Sequence, residues 1–304
     1  MSTRRIFARP ARYAAIAPYL WMALFFLVPF GIVVKISLSQ TAIAQPPYTP
    51  VFELGEGWEA FKAAFEQLSL DNFRLLVSDN LYILSYLRSL VVAVTSTLIL
   101  LVIGYPIAYG MARLPQRWQG IAMILVIVPF WTSFLIRIYA WINILQHDGL
   151  LNRILLALHL VSEPVAWLST DTAMYIGIVY SYLPFMILPL YATLAKMDRA
   201  LLEAAEDLGA SPLKAFWLVT FPLSLPGVGA GILLCFIPIV GEFVIPDLLA
   251  GSNSLMIGQT LWLEFFTNKD WPVASAVAIA LLVLLVPPLV LYDRLQRRQV
   301  EGGR

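Results

Sequence analysis

EAAEDLGASPLKAFWLVTFP, residues 203–222, interrupts a 304-residue chain otherwise dominated by apolar side chains. It carries charge, strong helix formers and a glycine, yet no nucleophile, no metal-ligand set and no phosphate-binding loop. Around it the composition is 60% hydrophobic and 13% charged, with nine Trp and a mean hydropathy of +0.79. Such values lie far outside a soluble domain and imply an all-α polytopic membrane protein. The net charge of +1 implies no nucleic-acid partner, so the few charges have to be read by position. Cys235 is the single cysteine, which excludes a disulfide framework and a thiol metal site.

Six stretches are long enough to cross a ~30 Å hydrocarbon layer. The first has an apolar core from Tyr13 to Val34, within a span expected over 13–38. Arg4, Arg5, Arg9 and Arg12 precede it in the manner of a signal peptide, but the core exceeds the roughly 7 to 15 residues of a signal h-region, so it is expected to be retained. The others are expected over 89–112, 118–146, 172–195, 227–249 and 271–292. Pro106, Pro129, Pro184, Pro189, Pro238 and Pro246 fall inside or near these spans and suggest kinks that neighbouring helices can tolerate.

With six spans both termini, 1–12 and 293–304, share a side. One phase gathers Arg4, Arg5, Arg9, Arg12, Arg113, Arg117, Lys196, Arg199, Lys214, Arg294, Arg297, Arg298 and Arg304 there, against Lys62, Arg74, Arg88, Arg153 and Lys269 opposite. The positive-inside rule therefore puts both termini and the loop 196–226 in the cytoplasm. Lys35 and Arg137 fall at membrane depth. The outer face then holds a long loop, 39–88, rich in acids such as Glu53, Glu56, Glu59, Glu66, Asp71 and Asp79, with Asp148, Glu163 and Asp171 further on. Such acids suit a cationic solute, and they are equally common on solvated loops.

The cytoplasmic loop reads as two short helices. Asp198 can cap a helix through Leu208, which Gly209 stops, and Ser211 with Pro212 forms a cap and first position for a second helix that Pro222 ends or kinks. Leu201, Ala204, Ala205 and Leu208 fall on one apolar face. A helix with so little core of its own either docks on a partner or lies on the membrane.

Glu203-Ala204-Ala205, then Gly209 four positions on, then Val219, Phe221 and Pro222, resembles the EAA loop of ABC importer permeases, with conservative departures at Val219 and Phe221. The resemblance implies that Glu203, Ala204, Ala205, Asp207, Leu208, Gly209, Ala210, Ser211 and Pro212 form a coupling helix seated in a groove of the ATP-binding subunit. The runs VPFWTSFLIRIYAW (128–141), YLPFMILPLYATLAKMD (182–198) and GEFVIPDLLAG (241–251) are similar to spermidine and putrescine importer permeases, most to the putrescine type. The same resemblance implies a bacterial inner-membrane location. It also implies three kinds of partner: a second related permease, a dimer of ATP-binding subunits and a periplasmic solute-binding protein.

No G-x-x-x-x-G-K-[ST] pattern occurs, so this chain is expected to have no catalytic residue and no cofactor, with ATP and Mg held by the partner ATPase. Within the membrane, ionisable residues are costly and point to function. Glu242 and Asp247 lie in or near the fifth span. Five helical residues set them about 140° apart, so an unwound turn is needed for both to face one pathway. Either Arg137 neutralises one of them in an intramembrane ion pair, or an acid receives an ammonium group of the cargo. The polyamine resemblance implies gate roles for Glu242, Phe243 and Asp247. Trp131 and Tyr182 are candidate cation-π contacts, although Trp and Tyr also belong at membrane interfaces. His147 and His159 stand singly, without a partner at metal spacing. An ion-coupled secondary transporter using Arg137, Glu242 and Asp247 as a relay is the alternative of a different class, and an importer of another cationic or amino-acid-derived solute is the nearer one.

Overall fold

The computed structural model describes residues 16–51, 57–198, 200–251 and 255–302. The expected N-terminal segment 1–12, together with Tyr13, Glu53, Glu56 and Arg199, lies outside the described residues. α1 (Ile16–Ser37) leads into a hairpin of β1 (Gln40–Thr41) and β2 (Tyr48–Thr49), followed by α2 (Gly57–Glu66), α3 (Asp71–Ser78) and α4 (Asn80–Arg113). After α5 (Gln116–Ile127) come a 3-10 turn (Val128–Trp131), α6 (Phe134–Leu145), α7 (Leu150–Ala157) and α8 (Asp171–Leu194). The remainder is α9 (Ala200–Asp207), α10 (Pro212–Val240), α11 (Val244–Leu249), α12 (Ile257–Trp262) and α13 (Trp271–Gly302).

α1, α4, α8, α10 and the Trp271–Arg294 part of α13 are long and apolar enough to cross a membrane. The third expected span is a bent pair, Gln116–Trp131 and Phe134–Ala157, turned by 90°. Counting it as one span brings the number to the expected six. The bend has a local cause. Pro129 sits at the start of the 3-10 turn, and Thr132, in extended backbone, directs its N–H and its hydroxyl to the Pro129 carbonyl at 3.4 and 2.8 Å. Those bonds close one helix, and Ser133, also extended, opens the next.

Several boundaries differ from expectation. α4 begins at Asn80, nine residues before Ser89, and takes in the end of the expected outer loop. The second helix of the 196–226 loop, expected to be cytoplasmic, does not end at Pro222. It runs on as α10 through a widened π turn at Phe216–Thr220, immediately before Pro222, where the slack relieves a proline's missing N–H and its ring clash. α10 in turn stops at Val240, and Gly241–Phe243 separates it from α11, so the expected 227–249 span is two helices.

The chain divides into two compact units. In the first (Met1–Ile83 with Leu261–Leu284), α1 is almost wholly exposed, from Ile16 and Trp21 to Phe26 and Ile32. The hairpin pairs Gln40 with Thr49 and Thr41 with Tyr48. Asn72 of α3 donates to the carbonyls of Ser37 and Ser39, both at 2.8 Å, tying the end of α1 to the loop. Lys35, near the end of α1, donates to the Pro50 carbonyl and lies over the Tyr48 ring.

The second unit (Leu84–Thr260 with Leu285–Arg304) is centred on α8 and α10. α8 buries Met174, Ile178, Tyr182, Met186 and Leu190, and α10 buries Ser224, Val228, Gly231, Cys235 and Ile239, each at helical spacing. Lipid tails are as apolar as these side chains, so close fit and interhelical hydrogen bonds hold the helices together. Tyr105 of α4 meets Ser224 at 2.9 Å, Ser85 meets Thr260 at 3.1 Å, and the Ser89 hydroxyl accepts from the Ile257 N–H at 2.8 Å.

Candidate functional site

The break between α10 and α11 is organised by Glu242. The residue is only 8% exposed, and its carboxylate accepts three donors: the Val244 and Ile245 N–H groups at 3.1 and 3.3 Å on Oε1, and the Tyr182 hydroxyl on Oε2. The acid thus takes up amides that α11 leaves open at its start, while α8 supplies the phenol. The unwound turn that both acids required is present, yet it does not bring them together. Glu242 is buried, whereas Asp247 lies exposed in the first turn of α11, and its carboxylate has no hydrogen-bond or ion-pair partner among the described residues. Gly258 of α12 closes on this break. A Cβ there would sit 2.7 Å from the Glu242 carbonyl oxygen, a backbone atom that cannot swing aside.

A row of rings runs from this carboxylate toward α6. Tyr182 and Phe185 lie 6.1 Å apart, Phe185 meets Phe130 edge-on at 5.2 Å, and the Arg137 guanidinium sits 4.7 Å from the Phe130 centroid. Arg137 therefore pairs with neither acid: its nearest companions are the rings of Phe130 and Phe134. Of the two aromatic candidates, Tyr182 belongs to the row. Trp131 does not; it is 80% exposed and has no ring contact among the described residues. Phe243 is half-buried in the break itself.

The acids expected on the outer face are less free than their number suggests. Asp171 pairs with Arg88, Asp71 with Arg74 at 3.1 Å, and Glu59 with Lys62 at 3.7 Å. A further buried acid lies outside the residues to which the sequence pointed. Glu264, on a π turn after α12, accepts from the Tyr82 hydroxyl at 2.8 Å and from Asn268 at 2.9 Å. Its signal was present in LWLEFF (261–266), a lone carboxylate in an apolar run, of the kind that lipid makes expensive. Among the described residues no group of three or more His, Cys, Asp or Glu side chains converges to hold a metal ion.

The loop after α8 has the local chemistry read from its sequence. The Asp198 carboxylate accepts from the Ala200 N–H at 3.0 Å, and the Ser211 hydroxyl accepts from the Lys214 N–H at 3.4 Å. Between the two helices Gly209 has φ +81°, with its N–H bonded to the Glu206 carbonyl and the Ala210 N–H to the Ala205 carbonyl, the pattern of a left-handed C-cap. Glu203, Ala204, Asp207, Leu208, Ser211 and Pro212 are exposed, while Ala205 and Ala210 are half-buried. Leu208 is 89% exposed and Leu213 70%, so the apolar side of this corner is uncovered in the chain alone.

Residues 100–301 match the family model described as the inner membrane component of binding-protein-dependent transport systems. The chain belongs to that family. It is 42% identical to the spermidine/putrescine transport system permease protein PotB of Escherichia coli (strain K12) over 236 residues, 77% of this chain and 86% of the relative. PotB of Haemophilus influenzae is 37% identical over 284 residues, 92% of this chain and 93% of the relative. A chain from the crystal structure of a bacterial ABC transporter involved in alginate import superposes with a TM-score of 0.68, covering 95% of both chains at 16% identity, which shows a shared fold. The protein is thus an ABC importer permease, a multi-pass inner-membrane component with a transport role.

Proposed function

We propose that this permease imports a polyamine, putrescine first and spermidine second, delivered by a periplasmic binding protein and driven by ATP hydrolysis in a partner subunit. The observation that carries the reading is the 42% identity, over 236 residues, to a permease named for spermidine and putrescine. The chain works as half of a pair with a second, related permease, on two ATP-binding subunits that hold ATP and Mg. Both termini and the 196–226 loop face the cytoplasm, and lipid surrounds the spans.

In this reading the corner formed by Glu203, Ala204, Ala205, Asp207, Leu208, Gly209, Ala210, Ser211 and Pro212 is the coupling surface. Its uncovered leucines fit a groove on the ATPase. Because α10 continues without interruption from Pro212 into the membrane, a push at the corner is delivered along one rigid helix to the Gly241–Phe243 break. Glu242 and Phe243 then act as the gate, and Asp247 offers its carboxylate to an ammonium group of the cargo.

Uptake of radiolabelled putrescine and spermidine tests this directly, in cells lacking other polyamine importers and expressing the complete transporter. Uptake should be saturable, stop on ATP depletion, survive collapse of the ion gradients and favour putrescine. Uptake that persists without the ATPase subunit would overturn the coupling, and transport of neither amine would overturn the cargo.

A further inference from the structure

The break at Gly241–Phe243 also abuts the start of α12, and α12 is in turn held by α4. A Cβ on Gly258 would overlap the Gly241 carbonyl oxygen and sit 2.7 Å from that of Glu242. Backbone carbonyls cannot swing aside as the end of a side chain can, so only a glycine lets α12 come this near. Two hydroxyls of α4 keep it there. The Ile257 N–H, one of the amides that a helix leaves open in its first turn, donates to the Ser89 hydroxyl at 2.8 Å, and the Thr260 hydroxyl meets that of Ser85 at 3.1 Å. Ser85, Ser89, Ile257 and Thr260 are all buried, so losing either bond strands a polar group away from bulk water. Glu242 is thereby fixed twice: its side chain by Tyr182 and the first amides of α11, its main chain by contact with Gly258. Close-packed elements move by switching between discrete arrangements and do not stretch. The two carbonyls cannot shift toward α12 unless α12 leaves its hydroxyls on α4.

We propose that Ser89 and Gly258 are positioning residues for the gate: Ser89 fixes the start of α12, Gly258 fixes the Gly241–Glu242 main chain against it, and the break stays closed while both contacts hold. The inference rests on the reading of Glu242 and Phe243 as the gate. Neither positioning residue touches the cargo; both act through the main chain of Glu242. The control point extends to α4, a helix that carries none of the gate residues themselves.

The test is passive leak of radiolabelled putrescine from ATP-free vesicles that contain the complete transporter, measured per assembled complex. Vesicles with the unaltered chain should hold the amine. Ser89→Ala, which strands the Ile257 N–H, and Gly258→Ala, whose methyl displaces the two carbonyls, should each raise the leak about fivefold or more. Ser96→Ala is the control, because it removes a hydroxyl of the same helix that is equally buried but bonded to nothing among the described residues; it should leak no more than the unaltered chain. A purely structural role would lower the number of assembled complexes without raising the leak of each. Should Gly258→Ala fail to assemble, Ser89→Ala against Ser96→Ala still decides the matter. Assembled Ser89→Ala transporter that leaks at the unaltered rate would overturn the proposal, as would equal leaks from Ser89→Ala and Ser96→Ala. Tyr182→Phe separates the proposal from the reading beneath it, since it loosens Glu242 directly. Leak from Tyr182→Phe with none from Ser89→Ala would remove α4 and α12 from the gate, whereas tight vesicles with every variant would remove the gate itself, and the proposal would fall with it.

Discussion

At the scale of single residues, one carboxylate does two jobs. Glu242 caps α11 through two backbone amides and holds α8 through Tyr182. Hydrogen bonds to a charged acceptor contribute about 1.5–3 kcal/mol each, and an orphaned buried group costs a similar amount. Tyr182→Phe is therefore expected to destabilise the protein by about 1–3 kcal/mol, read as a lower unfolding midpoint in detergent by fluorescence-detected gel filtration. Glu242→Gln keeps an oxygen for the two amides but loses the charge. It should insert normally, weaken the hold on Tyr182 and slow uptake; uptake at the unaltered rate would count against a gate role. The spacing of Glu242 and Asp247 was readable in the sequence, but their separation into a buried and an exposed acid was not, because it depends on Tyr182, sixty residues away.

At the scale of elements, the corner between α9 and α10 is set by two local devices. Gly209 at φ +81° has open space where a Cβ would project, so a side chain there is opposed by backbone strain of about 1–2 kcal/mol and by any surface that docks on it. Gly209→Ala should leave the chain inserted with modestly reduced ATPase capture, whereas Gly209→Asp, which adds a charge on the uncovered face, should abolish capture in a pull-down. Ser211→Ala removes the cap on the start of α10 and should cost about 1 kcal/mol, visible as faster proteolysis within 196–212. Capture of ATPase by Gly209→Asp at the level of the unaltered chain would remove the coupling assignment from this corner. These caps were legible because each involves residues within five positions of one another. The continuation of α10 past Pro222 was not, since a π turn absorbs a proline without leaving a mark in residue type.

At the scale of the whole molecule, an exposed acid and a cation without an anion define what the described residues of the single chain leave open. Asp247 has no partner to lose among them, so Asp247→Asn should leave expression and co-purification unchanged while lowering uptake of a diamine several-fold through its KM. An unchanged KM would remove Asp247 from the cargo route.

The number of membrane stretches, the caps of the corner between α9 and α10 and the family were determined by sequence alone, because hydropathy, helix caps and motif spacing are properties of neighbouring residues. Tertiary structure decided the 90° bend after Pro129, the break at Gly241–Phe243, the Tyr182–Glu242 and Tyr82–Glu264 bonds, and the isolation of Arg137 from both acids. In each of these a polar group shielded from water had to find a donor or acceptor, and which one it found was settled by helices that pack together from distant parts of the chain.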